Sequence, residues 1–274
     1  MPDHVMRIGI VGTENSHVDH IIDHLNTSRR DARVVAVSGG RSERNESLRD
    51  KGSLERIVDA PEELLGLVDA VVVADRHGDL HRAHAVPFLR EGLPVFVDKP
   101  LACTVEDAEA IVAEALAHDA PLTSFSALRW IPDTELLAAQ GAPRRVTTAG
   151  PVDPASPYGG IFFYGIHPVD VALRLAPGPI TAVGVTRLTD SIVVQAEVRG
   201  VEVVIKLAFG DTPFHGSVVT SSGTTSHPLV LDEHYLVPGL EAFLDMASTG
   251  EPPIDYSDLL RPVHLLHAVA KAIA

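Results

Sequence analysis

Short apolar runs alternate with helix-period stretches through the first part of the chain. Residues 5–11, 34–37, 70–74 and 93–97 are apolar runs bounded by turn residues, the pattern of strands buried on both faces. Residues 57–58 read as one further, very short strand. Between these runs, Val18, Ile21, Ile22 and Leu25 fall on one side of a helix. Residues 61–67 and 80–90 read as two more helices, the second closed at Glu91-Gly92. Thr104-Val105-Glu106-Asp107 has the form of a capping box opening a helix over 105–118. Strand and helix in alternation predict a parallel sheet with right-handed crossovers.

The pattern changes after Pro121. Residues 122–125 suit one more strand and 133–140 a helix. Then come β-rich runs at 145–149, 181–188, 191–198, 201–209, 215–221 and 228–231, with Arg199-Gly200 as a hairpin signal between two of them. A helix over 168–175 precedes the last five, and two helices, near 239–248 and 258–273, close the chain around Pro252-Pro253. The expected fold is α/β: a Rossmann-type parallel sheet in residues 1–123, then an α+β domain in 124–274 with a mostly antiparallel open sheet.

Composition narrows the function. The chain has 274 residues, 45% hydrophobic and 22% charged, enough for a substantial core. A net charge of −15 argues against nucleic acid and anionic membrane as partners. The single cysteine, Cys103, allows no internal disulfide and suits a reducing, cytoplasmic location. Residues 1–4 read as too short and too polar for a secretory signal, and no run approaches the ~18 apolar residues of a membrane span.

Two stretches carry chemistry. The first is the turn Gly12-Thr13-Glu14-Asn15 between a strand and a helix start, the parts of a dinucleotide site. In a G-x-G-x-x-G frame only Gly12 is glycine; Glu14 and His17 stand at the other two positions. Glu14 adds a negative charge where phosphates would approach, so it must turn away, or the cofactor sits differently, or none binds. Ser38, at the end of the second strand and followed by Arg41 and Arg44, replaces the acid that reads an NAD ribose and leans towards NADP(H) over NAD(H). The second stretch, Val95-Phe96-Val97-Asp98-Lys99-Pro100-Leu101-Ala102, puts Lys99 at a corner stiffened by Pro100, where open α/β sheets bind ligands. Asp75-Arg76-His77-Gly78-Asp79 lies at another strand end on the same side. His17, His20 and His24, with Asp19 and Asp23, have metal-like spacing, but a polar helix face explains them better and no metal is expected.

These motifs, with Asp79-Leu80-His81, Gly159-Gly160 through Gly165-Ile166-His167-Pro168-Val169-Asp170, and Thr249-Gly250-Glu251-Pro252-Pro253, resemble the glucose–fructose oxidoreductase / inositol dehydrogenase (Gfo/Idh/MocA) family over nearly the whole chain. The resemblance implies an NAD(P)-dependent oxidoreductase for sugars, cyclitols or related hydroxy compounds, and a dimer or tetramer. It implies that Gly12, Thr13, Glu14, Asn15, Ser38, Arg41, Ala74, Asp75, His81, Lys99 and Pro100 meet the cofactor. Lys99 would lie beside nicotinamide and substrate hydroxyl, and His167 would touch the same substrate, with Arg129, Tyr164 and Asp170 near it. The family's catalytic aspartate falls on Phe163, four residues before His167. Tyr164 is the neighbouring phenol, while Ile161-Phe162-Phe163-Tyr164 also reads as a buried aromatic strand. Glu14 and Phe163 together keep open a second reading, a catalytically impaired nucleotide- or sugar-binding relative. A metal-dependent hydrolase using the histidines is a third.

Overall fold

The computed structural model describes residues 5–29 and 31–274; the stretch considered for a signal, residues 1–4, lies outside them. The chain divides into two compact units. The first comprises Met1–Ala102, Glu106–Ser124 and Gly239–Ile254. Its elements are β1 (Met6–Val11), α1 (His17–Asp23), β2 (Ala32–Ser38), α2 (Ser42–Gly52), β3 (Arg56–Val58), β4 (Ala70–Val73), α3 (His81–Arg90), β5 (Val95–Val97), α4 (Val105–Ala117) and β6 (Leu122–Thr123). All six strands pair in parallel, in the order β3-β2-β1-β4-β5-β6. The chain reverses direction across the sheet between β1 and β4, which is the switch point where doubly wound sheets open a ligand crevice. Ile8, Ile10, Val34, Val37, Val71, Val72 and Val97 are fully buried, as expected for strands covered on both faces.

Two features of this unit depart from the sequence reading. Residues 42–52, to which the sequence reading gives no element, form helix α2. That helix is Ser-Glu-Arg-Asn-Glu-Ser-Leu-Arg-Asp-Lys-Gly, with Leu48 its one large buried apolar residue, so no apolar period announces it. The strand expected over 122–125 is only Leu122–Thr123. Gly239–Ile254, far along the chain, packs into this unit, with Phe243 5.8 Å from Phe96 between ring centroids.

The second unit comprises Cys103–Val105, Phe125–Pro238 and Asp255–Ala274. It holds α5 (Pro132–Ala138), β7 (Arg145–Val152), α6 (Ile161–Leu175), β8 (Ile180–Arg187), β9 (Ser191–Val198), β10 (Val201–Phe209), β11 (His215–Val219) and β12 (Thr224–Pro228). Helix α7 (Val237–Thr249) runs from its end into the first unit, and α8 (Tyr256–Ile273) closes the chain. The sheet order is β12-β11-β7-β10-β9-β8. All pairs are antiparallel except β7 with β10, which run parallel because α6 and the β8–β9 hairpin intervene. The Arg199-Gly200 hairpin forms as expected, with φ of 50° and 81° and Val198 opposite Val201.

Residues 161–164 are helical, not a strand, and Pro168 lies inside α6 instead of opening it. Every residue of α6 except Tyr164 and Arg174 is buried. Its first turn, Ile161-Phe162-Phe163-Tyr164, is a β-branched and aromatic run, which on sequence alone reads as a buried strand. The helix starts where it does because Gly159 and Gly160 turn the chain with φ of 96° and 59°. The last short strand is Thr224–Pro228, four residues before the expected run over 228–231. Among the described residues, no helix is long and apolar enough to cross a membrane.

Candidate functional site

In the first unit the ends of β1, β2, β4 and β5 come together. Gly12 N–H donates to Ser38 O at 2.9 Å, Ala74 N–H to Val11 O at 2.7 Å and Asp98 N–H to Val73 O at 2.8 Å. Gly12 sits at φ 82°, and a Cβ there would fall 2.5 Å from the Asp75 backbone nitrogen. Only glycine fits, for conformation and for space. The turn is fixed from the other side by Thr13, whose Oγ1 meets Gly39 O at 3.0 Å and Asn45 Oδ1 at 2.6 Å.

Lys99 follows β5 and is 7% exposed, with a cis peptide bond to Pro100. Its neighbour Asp98 is the centre of the corner. Asn15 Nδ2 donates to Asp98 Oδ2 at 2.6 Å, His17 Nδ1 lies 3.0 Å from the same oxygen, and Lys99 Nζ lies 4.0 Å away. Burial alone would raise the Asp98 carboxyl's pKa, but the charges of His17 and Lys99 and the bond from His17 outweigh it and hold it well below the usual range. The glycine turn and the lysine corner are thus one hydrogen-bonded assembly. Asp98 had no assigned role in the sequence reading; its place next to Lys99 was the available signal.

His81 is fully buried, with Nδ1 2.8 Å from Pro100 O and Nε2 3.0 Å from Asp75 O. It braces the loop after β4 against the peptide following Lys99. Asp75, 8% exposed, accepts from His84 Nδ1 at 2.7 Å. That bond raises the His84 pKa against the opposing effect of its partial burial.

The residues expected around the adenine ribose divide into two ion pairs. Arg44, which leaned the sequence towards NADP, donates through Nη1 to Asp19 at 3.1 Å and through Nε to Thr13 O at 3.0 Å. Glu14 does turn away from the turn's interior. Its Oε1 accepts the Arg41 backbone N–H at 3.1 Å and lies 3.5 Å from Arg41 Nε. Ser38 is fully buried, and its Oγ has no hydrogen-bond partner. The strict need for glycine at position 12, the fixed turn and the orphaned Ser38 hydroxyl fit a dinucleotide; Glu14 fits only in its turned-away position.

The histidines on α1 separate. His17 engages Asp98, while His24, at the helix end, points Nε2 at Glu241 Oε1, 3.0 Å away. They serve different carboxylates.

In the second unit His167 is 8% exposed on α6. Its Nδ1 lies 2.6 Å from Ser126 Oγ, and its ring stands edge-on to Phe214 with centroids 5.4 Å apart. Ser126 is fully buried; its Oγ accepts the Leu128 N–H at 3.2 Å, and its own N–H donates to Asp170 Oδ2 at 2.9 Å. Arg129 Nη1 donates to Asp170 Oδ1 at 2.7 Å. Asp170 therefore positions Ser126 and Arg129 instead of meeting His167 directly. No sequence signal pointed to Ser126, a serine in a serine-containing loop. Phe163 is 9% exposed and packs its ring 5.1 Å from Tyr158 and 4.8 Å from Tyr164. Tyr164 is 43% exposed, with its ring 6.4 Å from the His167 ring.

Comparison with known proteins places this geometry. Residues 6–125 match the Gfo/Idh/MocA model, described as an oxidoreductase family with an NAD-binding Rossmann fold. An inositol 2-dehydrogenase from Saccharopolyspora erythraea is 36% identical over 127 residues, 45% of this chain and 37% of the relative. A 1,5-anhydro-D-fructose reductase from Ensifer adhaerens is 31% identical over 40% of this chain and 32% of its own length. The matches thus span about a third of each relative. Similarity of fold extends further. A probable dehydrogenase from Thermotoga maritima superposes with a TM-score of 0.85 at 21% identity, covering 97% of this chain and 96% of that one. A myo-inositol dehydrogenase from Corynebacterium glutamicum gives 0.84 at 15% identity, covering 98% and 96%.

Proposed function

We propose that this chain, whose residues 6–125 match the Gfo/Idh/MocA oxidoreductase model, is a member of that family and transfers a hydride between a nicotinamide dinucleotide and a sugar, cyclitol or related hydroxy compound. The observation that carries the proposal is the joining of Lys99 to the glycine turn through Asp98, Asn15 and His17. A cofactor turn and a buried ammonium are there held in one rigid assembly. The names of the relatives, inositol 2-dehydrogenases and an anhydrofructose reductase, support the substrate class.

In this reading Gly12, Thr13, Asn15, Ser38, Arg41, Ala74, Asp75 and Pro100 line the dinucleotide, and His81 braces two of them. The bound dinucleotide supplies the hydride acceptor or donor. Lys99 stabilises charge on the substrate oxygen electrostatically. His167 exchanges the hydroxyl proton through its imidazole. Arg129, Asp170 and Tyr164 complete the substrate side. The first domain, residues 1–123, is assigned to the cofactor, and the second, 124–274, to substrate and to self-association as a dimer or tetramer. A cytoplasmic location accords with the lone cysteine.

For the dinucleotide's 2′ position, the lean towards NADP(H) rests on Arg41 alone, since Arg44 is committed to Asp19 and Thr13.

A second reading, a nucleotide- or sugar-binding protein without turnover, is favoured by Phe163, whose buried ring stands where the family's aspartate is expected. The two are separated by measuring nucleotide binding and nucleotide reduction side by side over a panel of cyclitols and sugar alcohols. Binding with turnover supports the oxidoreductase. Nucleotide binding without turnover on any member supports the second reading, and binding of neither nucleotide nor any member of the panel removes both.

A further inference from the structure

The end of β2 offers no carboxylate. It closes in Ser38, Gly39 and Gly40, the glycines at φ of 78° and 73°. In dinucleotide folds an acid at this point accepts the ribose hydroxyls of NAD, and its charge disfavours the extra phosphate of NADP. Here a carboxylate reaches the same place from a different strand. Glu14 belongs to the turn after β1, yet its Oε1 accepts the backbone N–H of Arg41, the N-cap residue of α2, at 3.1 Å.

The crossing is built into the two loops. A Cβ on Gly40 would fall 2.1 Å from Thr13 Oγ1 and 3.5 Å from Glu14 Oε1, so the loops touch at this glycine. Thr13 anchors the contact through Gly39 O and Asn45 Oδ1. Both nearby arginines are matched by acids of the first turn and helix, Arg41 by Glu14 at 3.5 Å and Arg44 by Asp19 at 3.1 Å. A ribose hydroxyl can donate to the Glu14 carboxylate. A phosphate of charge about −2 placed there meets that carboxylate at close range, where like charges repel strongly.

We infer that Glu14 is the specificity-determining residue at the adenine ribose, selecting NAD(H) over NADP(H) from the β1 turn instead of from the end of β2. The inference rests on the dinucleotide reading above and reverses the preference read from Ser38, Arg41 and Arg44 in the sequence.

The test is equilibrium binding of NADH and NADPH to the full chain, followed by calorimetry, with no substrate present. The wild type is expected to bind NADH about tenfold or more tightly than NADPH. Glu14→Gln keeps the shape and removes the charge, and should tighten NADPH by about tenfold while changing NADH by less. Glu14→Ala removes both the charge and the side chain and should shift the NADH/NADPH ratio in the same direction. Equal or tighter NADPH binding by the wild type overturns the inference and leaves the oxidoreductase reading standing. So does a Glu14→Gln variant whose ratio is unchanged. Should Glu14→Gln fail to fold, the wild-type ratio together with Glu14→Ala still decides. Binding of neither nucleotide to the wild type overturns the dinucleotide reading itself.

Discussion

Asn15 Nδ2 lies 2.6 Å from Asp98 Oδ2, joining residues 83 positions apart in the chain. The bond fastens the turn after β1 to the residue before Lys99. Asp98→Ala removes the carboxylate facing both His17 and Lys99, which are 9% and 7% exposed. Breaking a buried charged pair from one side costs about 3–5 kcal/mol, and urea unfolding should read a loss of that size. The pH dependence has a definite sign. The folded pKa of Asp98 lies below its ordinary value of 3.8, so its contribution is present above that pH and is lost as pH falls through the folded value. Acid unfolding of Asp98→Asn should therefore lack part of the wild-type dependence below pH ~4.

His81 faces two backbone carbonyls, those of Pro100 and Asp75. His81→Phe fills the volume but removes the ring N–H that a neutral imidazole donates to one of these carbonyls. The cost should be about 1–3 kcal/mol in thermal or urea unfolding, since a buried unsatisfied acceptor pays its desolvation in full. Because the two carbonyls flank Lys99 and the loop after β4, dinucleotide affinity should fall as well. A variant that keeps both stability and affinity would reduce His81 to packing.

His84 is held by Asp75 with its pKa above the ordinary 6.5. A raised value means the pair's stabilisation is complete below that ordinary value and fades as pH rises through the folded one. The melting temperature of the wild type should decline across this window more than that of His84→Gln. Parallel curves for the two proteins would show that the pair contributes nothing to folding.

Ser126 Oγ and His167 Nδ1 are 2.6 Å apart in a buried setting, so the serine holds that nitrogen and with it the orientation of the ring. Ser126→Ala should move the His167 titration seen by NMR and lower turnover about threefold to tenfold, the worth of one such bond. His167→Ala should lower turnover by about 10²–10⁴-fold, the usual contribution of general acid–base catalysis. An unmoved His167 titration in Ser126→Ala would remove the serine's positioning role.

The sequence alone determined the parallel first sheet, because strands buried on both faces and turn glycines leave a local signature in apolar runs and spacing. It also singled out Gly12 and Lys99, since each lies at an element junction marked by glycine or proline, whereas His167, inside α6, was indicated only by the family resemblance. It did not reveal α2, whose polar surface carries no period, or the true start of α6, whose first turn is a β-branched and aromatic run that suits a strand as well. Nor could it show which acid meets which base. The partnerships of Asp98 with Asn15, of His167 with Ser126 and of Glu14 with Arg41 join positions separated by 83, 41 and 27 residues. Such pairs are made by how strands and loops are brought side by side, and only the folded chain decides them.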